Sequence, residues 1–235
     1  MANTHRKLNT LPVSISTIFL LVLFLQIFVH LQNRDQLVNA EELSFPPSIT
    51  AFKLSSFGET TTFARVLMLW LQAYDNQPGI SIPYQDLDYE RVEAWLSHII
   101  DLDPRGQYPL LAASRLYAEV NDKQKQRQML DFVAGRYLED PARRWPWLAH
   151  AVVIAKHRIK DTELALKYAQ LLSATKEVEN IPGWAQQMEV FILEDMGELE
   201  AAQILIGGLL SSGAVTDSHE IHFLKERLEQ LGAKN

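Results

Sequence analysis

The 235-residue chain contains no cysteine. Without thiols it cannot form a disulfide, build a zinc finger, hold an iron–sulfur cluster or use a thiol nucleophile. The same absence leaves the compartment undetermined, because a cysteine-free chain is compatible with either side of a membrane.

Positive charge is also scarce. The chain has 22 lysines and arginines against 29 aspartates and glutamates, which gives a formal net charge of −7. Its basic residues form only short clusters, such as Arg143-Arg144 and Lys156-His157-Arg158. Because nucleic-acid binding needs a basic face, we expect no nucleic-acid partner.

Linear catalytic motifs are missing as well. The chain has no Gly-x-Ser-x-Gly sequence, and His219 and His222 are three residues apart instead of the four of the zincin helix. His150 and His157 are separated by about 10 Å along a helix, too far to share one ion. We therefore expect no enzyme activity, no cofactor and no metal. The alternative is an enzyme, or an accessory subunit of one, whose site lies between helices.

The main apolar feature is the uncharged run at residues 11–31. Its length predicts a transmembrane helix, since about 20 apolar residues cross a bilayer. Arg6 and Lys7 precede it, so residues 1–10 are expected in the cytoplasm and the rest of the chain on the non-cytoplasmic side, the periplasm if the organism is bacterial. A cleaved signal peptide ending at Ala40 is the alternative.

The remainder of the chain divides into a linker and a helical domain. Residues 32–58 contain prolines, serines and glycine without a steady apolar period, which indicates a juxtamembrane linker. From residue 59 to residue 235 the apolar residues recur every three or four positions, which predicts an all-α domain. The predicted helices are 59–74, 89–102, 108–120, 124–138, 145–159, 162–174, 183–196, 199–211 and 217–231.

These helices contain an internal repeat. Small or apolar residues stand near the start of every second helix, with separations of 37, 36 and 37 residues, and a second apolar set follows four residues later. Short connections between the helices predict antiparallel hairpins that must stack on one another to bury their apolar faces. The two sets are Val92, Met129, Ala165 and Ala202, then Leu96, Val133, Ala169 and Ile206.

One stretch of this repeat resembles a known family. Trp184, Met188 and Phe191, followed by residues 196–202 (MGELEAA), resemble a tetratricopeptide repeat, with its early tryptophan, turn glycine and alanine in the second helix. Leu102-Asp103-Pro104 resembles the end of such a repeat. The resemblance implies a right-handed stack of antiparallel hairpins, a TPR-like solenoid, whose residues after 216 form a capping helix.

These observations together predict a membrane-tethered scaffold for protein–protein interaction. It would contact the lipid bilayer through residues 11–31 and hold protein partners in a membrane or envelope complex. Trp145 and Trp147 are two residues apart on one helix and cannot share one buried face, so Trp145 is a candidate anchor. The predicted partner-binding groove contains Trp145, His150, His157, Arg158 and Glu194. The histidines and charged residues are included because the sequence shows no obvious local partner for their side chains.

Overall fold

The computed structural model of the chain describes residues 13–32, 41–175, 181–213 and 215–233. The predicted tail 1–10 and the possible cleavage site after Ala40 lie outside these residues. The helices are α1 (Val13–Gln32), α2 (Ile49–Ser55), α3 (Thr60–Ala73), α4 (Tyr89–Leu102), α5 (Tyr108–Arg115), α6 (Lys123–Tyr137), α7 (Pro141–Ile154), α8 (Thr162–Ser173), α9 (Gly183–Gln186), α10 (Met188–Met196), α11 (Leu199–Ser212) and α12 (Ser218–Gly232). The predicted all-α class is confirmed.

Departures from α-helix are short. Two-residue strands β1 (Asn76–Gln77) and β2 (Ile80–Ser81) pair with each other. A 3₁₀ turn at Tyr117–Glu119 follows α5, and a π-helical turn at Ala155–Ile159 extends α7. The single predicted helix 183–196 is interrupted at Gln187, where α9 ends and α10 begins.

Aspartate caps mark the second helix of successive hairpins. Asp88, Asp122 and Asp161 precede α4, α6 and α8, and each side chain accepts a hydrogen bond from backbone N–H groups of the first turn. Such caps satisfy donors that have no partner within the helix. The first helices of two hairpins end in left-handed residues, Lys160 (φ 61°) and Gly197 (φ 80°), which turn the chain back sharply.

Packing follows chain order within residues 41–77 and 81–235, which form one compact unit. The helices pair as α3 with α4, α5 with α6, α7 with α8, and α10 with α11, and α12 packs on α11. One core cluster extends through α2–α8, and a second joins α10, α11 and α12. The side chain of Leu166 packs against both clusters.

The repeat positions lie in these cores. Each member of the two predicted sets has 0% of its surface exposed, so their burial is confirmed. The alanines among them allow neighbouring helices to approach closely. The buried members are Val92, Leu96, Met129, Val133, Ala165, Ala169, Ala202 and Ile206.

Polar side chains connect corresponding positions of neighbouring hairpins. Tyr168 donates to Asp131, which lies 37 residues earlier, with an O–O distance of 3.0 Å. Gln128 donates to Glu93 and Arg136 donates to Asp101, both across 35 residues, at 2.9 and 3.0 Å. These separations are close to that of the apolar sets, so polar and apolar contacts share one period.

The predicted location of the chain needs correction. Among the described residues, no helix combines the length and apolar character that crossing a membrane requires. The prediction of a single-pass membrane protein with a cytoplasmic N-terminus is therefore wrong, and the transmembrane part of the predicted fold class has no support.

Candidate functional site

A groove lies between α3, the end of α4 and the loop that leads into α5. Its volume is about 700 Å³. Its lining combines apolar side chains with arginines and other polar groups. The lining residues are Thr61, Ala64, Arg65, Met68, Leu69, Ile99, Asp103, Arg105, Gly106, Gln107, Tyr108 and Pro109.

The floor of the groove is apolar and belongs to the core. Ala64 and Met68 of α3 are 2% and 3% exposed, and Ile99 of α4 is 2% exposed. The four-residue spacing of Ala64 and Met68 places both on one face of α3. Pro109, in the first turn of α5, is also buried. A ligand in this groove would therefore cover a preformed apolar surface.

Two exposed arginines stand at the rim. Neither Arg65 nor Arg105 has an ion-pair partner within the described part of the chain. Asp103 is the one carboxylate among the lining residues. The rim therefore carries an excess of positive charge next to an apolar floor.

The turn that presents Arg105 is tight. The backbone N–H of Gly106 donates to the carbonyl oxygen of Asp103 at 2.9 Å. A Cβ atom added to Gly106 would lie 3.0 Å from Oδ2 of Asp103 and 3.2 Å from its carbonyl oxygen. Glycine at this position lets the chain fold back on Asp103 and directs residues 105–108 along the groove.

Two further lining residues are held by other helices. Oε1 of Gln107 accepts a hydrogen bond of 2.8 Å from Nε1 of Trp147, in the next hairpin. The hydroxyl of Tyr108 accepts one of 2.6 Å from Nε2 of Gln72, on α3. Both side chains are fixed before any ligand arrives, which reduces the entropy lost on binding.

The chemistry of the lining favours binding. It contains neither histidine nor a second carboxyl to pair with Asp103, so it offers no general acid–base pair. Among the described residues, no group of three histidine or carboxylate side chains is placed to hold a metal ion. An apolar floor beneath unpaired guanidinium groups suits a ligand with both apolar groups and carboxylates.

The residues predicted from the sequence lie away from this groove lining. Trp145 is half-buried and meets Trp184 edge to face, with ring centroids 5.5 Å apart. Trp184 remains 52% exposed. The two rings, on α7 and α9, form an aromatic pair that the solvent reaches on one side.

His150 and Arg158 lie beside the same carboxylate. Arg158 donates to the carbonyl oxygen of Glu119, and its guanidinium is 3.7 Å from the Glu119 carboxylate. Burial lowers the pKa of His150, and the charge of Arg115 lowers it further, while Glu119 acts in the opposite direction. Nε2 of His150 is buried without a hydrogen-bond partner among the described residues. His157 is exposed.

Glu194 was predicted to lack a local partner for its charge, but the structure places one beside it. Its side chain is 8% exposed and accepts hydrogen bonds of 2.9 and 3.0 Å from Nε of Arg227. The pair joins α10 to α12, and the hydrogen bonds to Glu194 raise the pKa of Arg227. Arg158 likewise has a partner, so the expectation that these charges lack local partners is wrong.

Sequence reasoning missed the groove because its walls come from separate parts of the chain. Arg65 and Arg105 are 40 residues apart, and nothing in either local sequence indicates a shared site. The one available signal was the Leu102-Asp103-Pro104 turn, which marks the end of a repeat and is followed by Arg105-Gly106.

Comparison of the chain with protein-family models, curated proteins and solved structures finds no match.

Proposed function

We propose that this chain is a protein–protein interaction scaffold whose α3–α4–α5 groove binds an acidic, amphipathic segment of a partner protein. The apolar side chains of that segment would cover Ala64, Met68 and Ile99. Its carboxylates would pair with Arg65 and Arg105. The observation that carries the proposal is the combination of a buried apolar floor with two unpaired arginines at its rim.

A repeat architecture supports this role. The buried apolar sets and the polar contacts across 35 to 37 residues have nearly the same period, and an aspartate caps the second helix of three successive hairpins. We propose that the hairpins form a right-handed, TPR-like solenoid, in line with the family resemblance of residues 184–202. Arrays of this kind present extended surfaces to protein partners.

The charge at the rim favours a carboxylate-bearing segment over a basic one. An arginine binds a carboxylate through two parallel hydrogen bonds, and the pair gains strength beside an apolar surface. Within the described part of the chain, Arg65 and Arg105 form no ion pair that a ligand carboxylate would have to displace. The aromatic pair of Trp145 and Trp184 offers a second, separate contact for a longer partner.

A pair of matched peptides tests the proposal. The probe is an amphipathic helical peptide with leucines at helical spacing and glutamates at its polar positions; its control has lysines in place of the glutamates. Fluorescence anisotropy of each labelled peptide with the full chain gives the two affinities. We expect the acidic peptide to bind at least about tenfold more tightly, since one charge-assisted pair contributes about 1.5–3 kcal/mol.

Salt provides the accompanying check. The affinity of the acidic peptide should fall as salt rises from about 0.05 M to about 0.5 M, because screening weakens ion pairs at a rim. Equal binding of both peptides, or binding that salt leaves unchanged, would contradict a site that recognises carboxylates.

A further inference from the structure

We propose that the outer face of α3 pairs with the same face of a second copy of the chain, in an antiparallel arrangement around a two-fold axis. The face adjoins the groove and shares Leu69 with its lining. Its test is separate from that of the groove, because it measures self-association and not peptide binding.

The face has the spacing of a coiled-coil seam. Thr62, Val66, Leu69 and Ala73 follow one another at intervals of four, three and four residues. At about 100° per residue they lie on one stripe, directly opposite the buried core side of α3. Val66 is 54% exposed and Leu69 is 66% exposed, and Thr62 and Ala73 are exposed as well. A seam of this kind packs on another helix, and the described chain leaves it uncovered.

The order of sizes along the seam fits self-pairing. Small residues, Thr62 and Ala73, occupy its two ends, and larger ones, Val66 and Leu69, occupy its centre. A two-fold axis between residues 67 and 68 places Val66 against Leu69 of the second copy, and Thr62 against Ala73. Each contact then occurs twice, as an isologous interface requires.

Charge also permits a second copy. Arg65 is the only charged residue of α3. In the antiparallel register its flanking position faces Gln72 of the second copy, so the two arginines do not meet. A neutral, apolar seam has no electrostatic preference for a charged partner, and an identical seam covers it without leaving a charge unpaired.

The α12 end of the helical stack, unlike the α3 end, has a charged outer surface. The outer side of α12 carries exposed charges, among them Lys225, Glu226 and Glu229, and so ends the array in water. At the α3 end, Phe57 is 96% exposed in a left-handed backbone conformation (φ 50°) next to Gly58 (φ 91°). A bulky residue rarely adopts that conformation, and here it adds apolar surface at the start of the seam.

Cysteine cross-linking of the full chain tests the register, because the chain has no cysteine of its own. One variant carries Val66→Cys and the other Leu69→Cys. A disulfide requires Cα atoms within about 7 Å. Under mild oxidation we expect the equimolar mixture to give several-fold more cross-linked dimer than either variant alone. Ile204→Cys on α11, a site that is 70% exposed, is the control and should give no cross-linked dimer.

Charge substitution tests the interface itself. Val66→Glu should shift the sedimentation of the full chain from dimer to monomer while leaving its circular dichroism unchanged, because the site is exposed. A mixture of Val66→Glu with Leu69→Lys should recover the dimer, since the two new charges face each other. A wild-type chain that is monomeric, a Val66→Glu chain that stays dimeric, or cross-links mainly between two copies of Val66→Cys would overturn the proposal.

Discussion

Arg144 donates a hydrogen bond to the carbonyl oxygen of Pro104, forty residues earlier in the chain, at 3.2 Å. Its side chain is 2% exposed and also reaches the carbonyl oxygen of Arg136 and the carboxylate of Glu139. One guanidinium group therefore connects the end of α4, the end of α6 and the start of α7. Because Pro104 precedes the groove loop, this contact also supports the wall that carries Arg105.

Replacing Arg144 tests this connection. Arg144→Met removes the donor to the Pro104 carbonyl oxygen and one of the two arginines that pair with Glu139. We expect the free energy of unfolding to fall by about 1–3 kcal/mol, the cost of leaving a partly buried acceptor without its donor. Urea denaturation measures it. Arg143→Met is the matched control: its side chain is half exposed and pairs with Asp140, so its loss should cost at most about 1 kcal/mol.

The same cluster predicts acid sensitivity. Burial alone would raise the pKa of Glu139, but the hydrogen bond from Arg144 and the charges of Arg136 and Arg144 lower it below 4.5. Its contribution to stability is therefore fully present above about pH 5 and is lost as the pH falls through the folded-state pKa. Unfolding free energies measured from about pH 6 to pH 3 should fall less steeply for Glu139→Gln than for the wild type. Parallel curves would contradict this role.

His150 predicts a second pH effect, closer to neutrality. Burial lowers its pKa below 6.5, so the unfolded chain binds a proton before the folded chain does. Stability should therefore decrease as the pH falls from 6.5 towards the folded-state pKa. His150→Leu should reduce the difference in melting temperature between about pH 7.5 and pH 5.5. His157→Gln, which removes an exposed imidazole, is the matched control. If the His150→Leu chain keeps the full wild-type difference in melting temperature, another group is responsible for the pH dependence.

The predicted repeat positions imply that two neighbouring sites of α11 differ sharply in how much a new charge destabilises the domain. Ala202 is 0% exposed and Ile204 is 70% exposed, although they are two residues apart. Ala202→Asp would bury a carboxylate without a partner and should destabilise the domain by several kcal/mol. Ile204→Asp should change its stability by no more than about 0.5 kcal/mol. Thermal melting of both variants checks this assignment of buried positions, and similar melting temperatures would contradict it.

The helices followed from the sequence where local signals agree. The apolar spacing of residues 89–102, the Asp88 cap and the Asp103-Pro104 terminus fix both ends of α4, and the predicted bounds match. In α7 the signals disagreed. The prediction began at residue 145, whereas the helix begins at Pro141 and buries Arg144. The predicted helix also ran through residues 155–159, where the structure has a π-helical turn.

The site was less accessible to sequence reasoning for a related reason. Partners of charged groups are set by packing between helices far apart in the chain. Glu194 appeared free because Arg227 lies 33 residues later on α12. Arg65 and Arg105 offered no local pattern, and only the packing of α3 beside the α4–α5 loop brings them to one groove.

The charge preference of the groove tests the central claim most directly. A double variant, Arg65→Glu with Arg105→Glu, is measured by anisotropy against the acidic and the lysine peptides, beside the wild type. Its control, Lys123→Glu with Lys225→Glu, makes the same change in net charge at exposed sites outside the groove lining. We expect the groove variant to prefer the lysine peptide and the control to keep the wild-type preference for the acidic one. A groove variant that still prefers the acidic peptide, or a control that reverses with it, would contradict carboxylate recognition at this site.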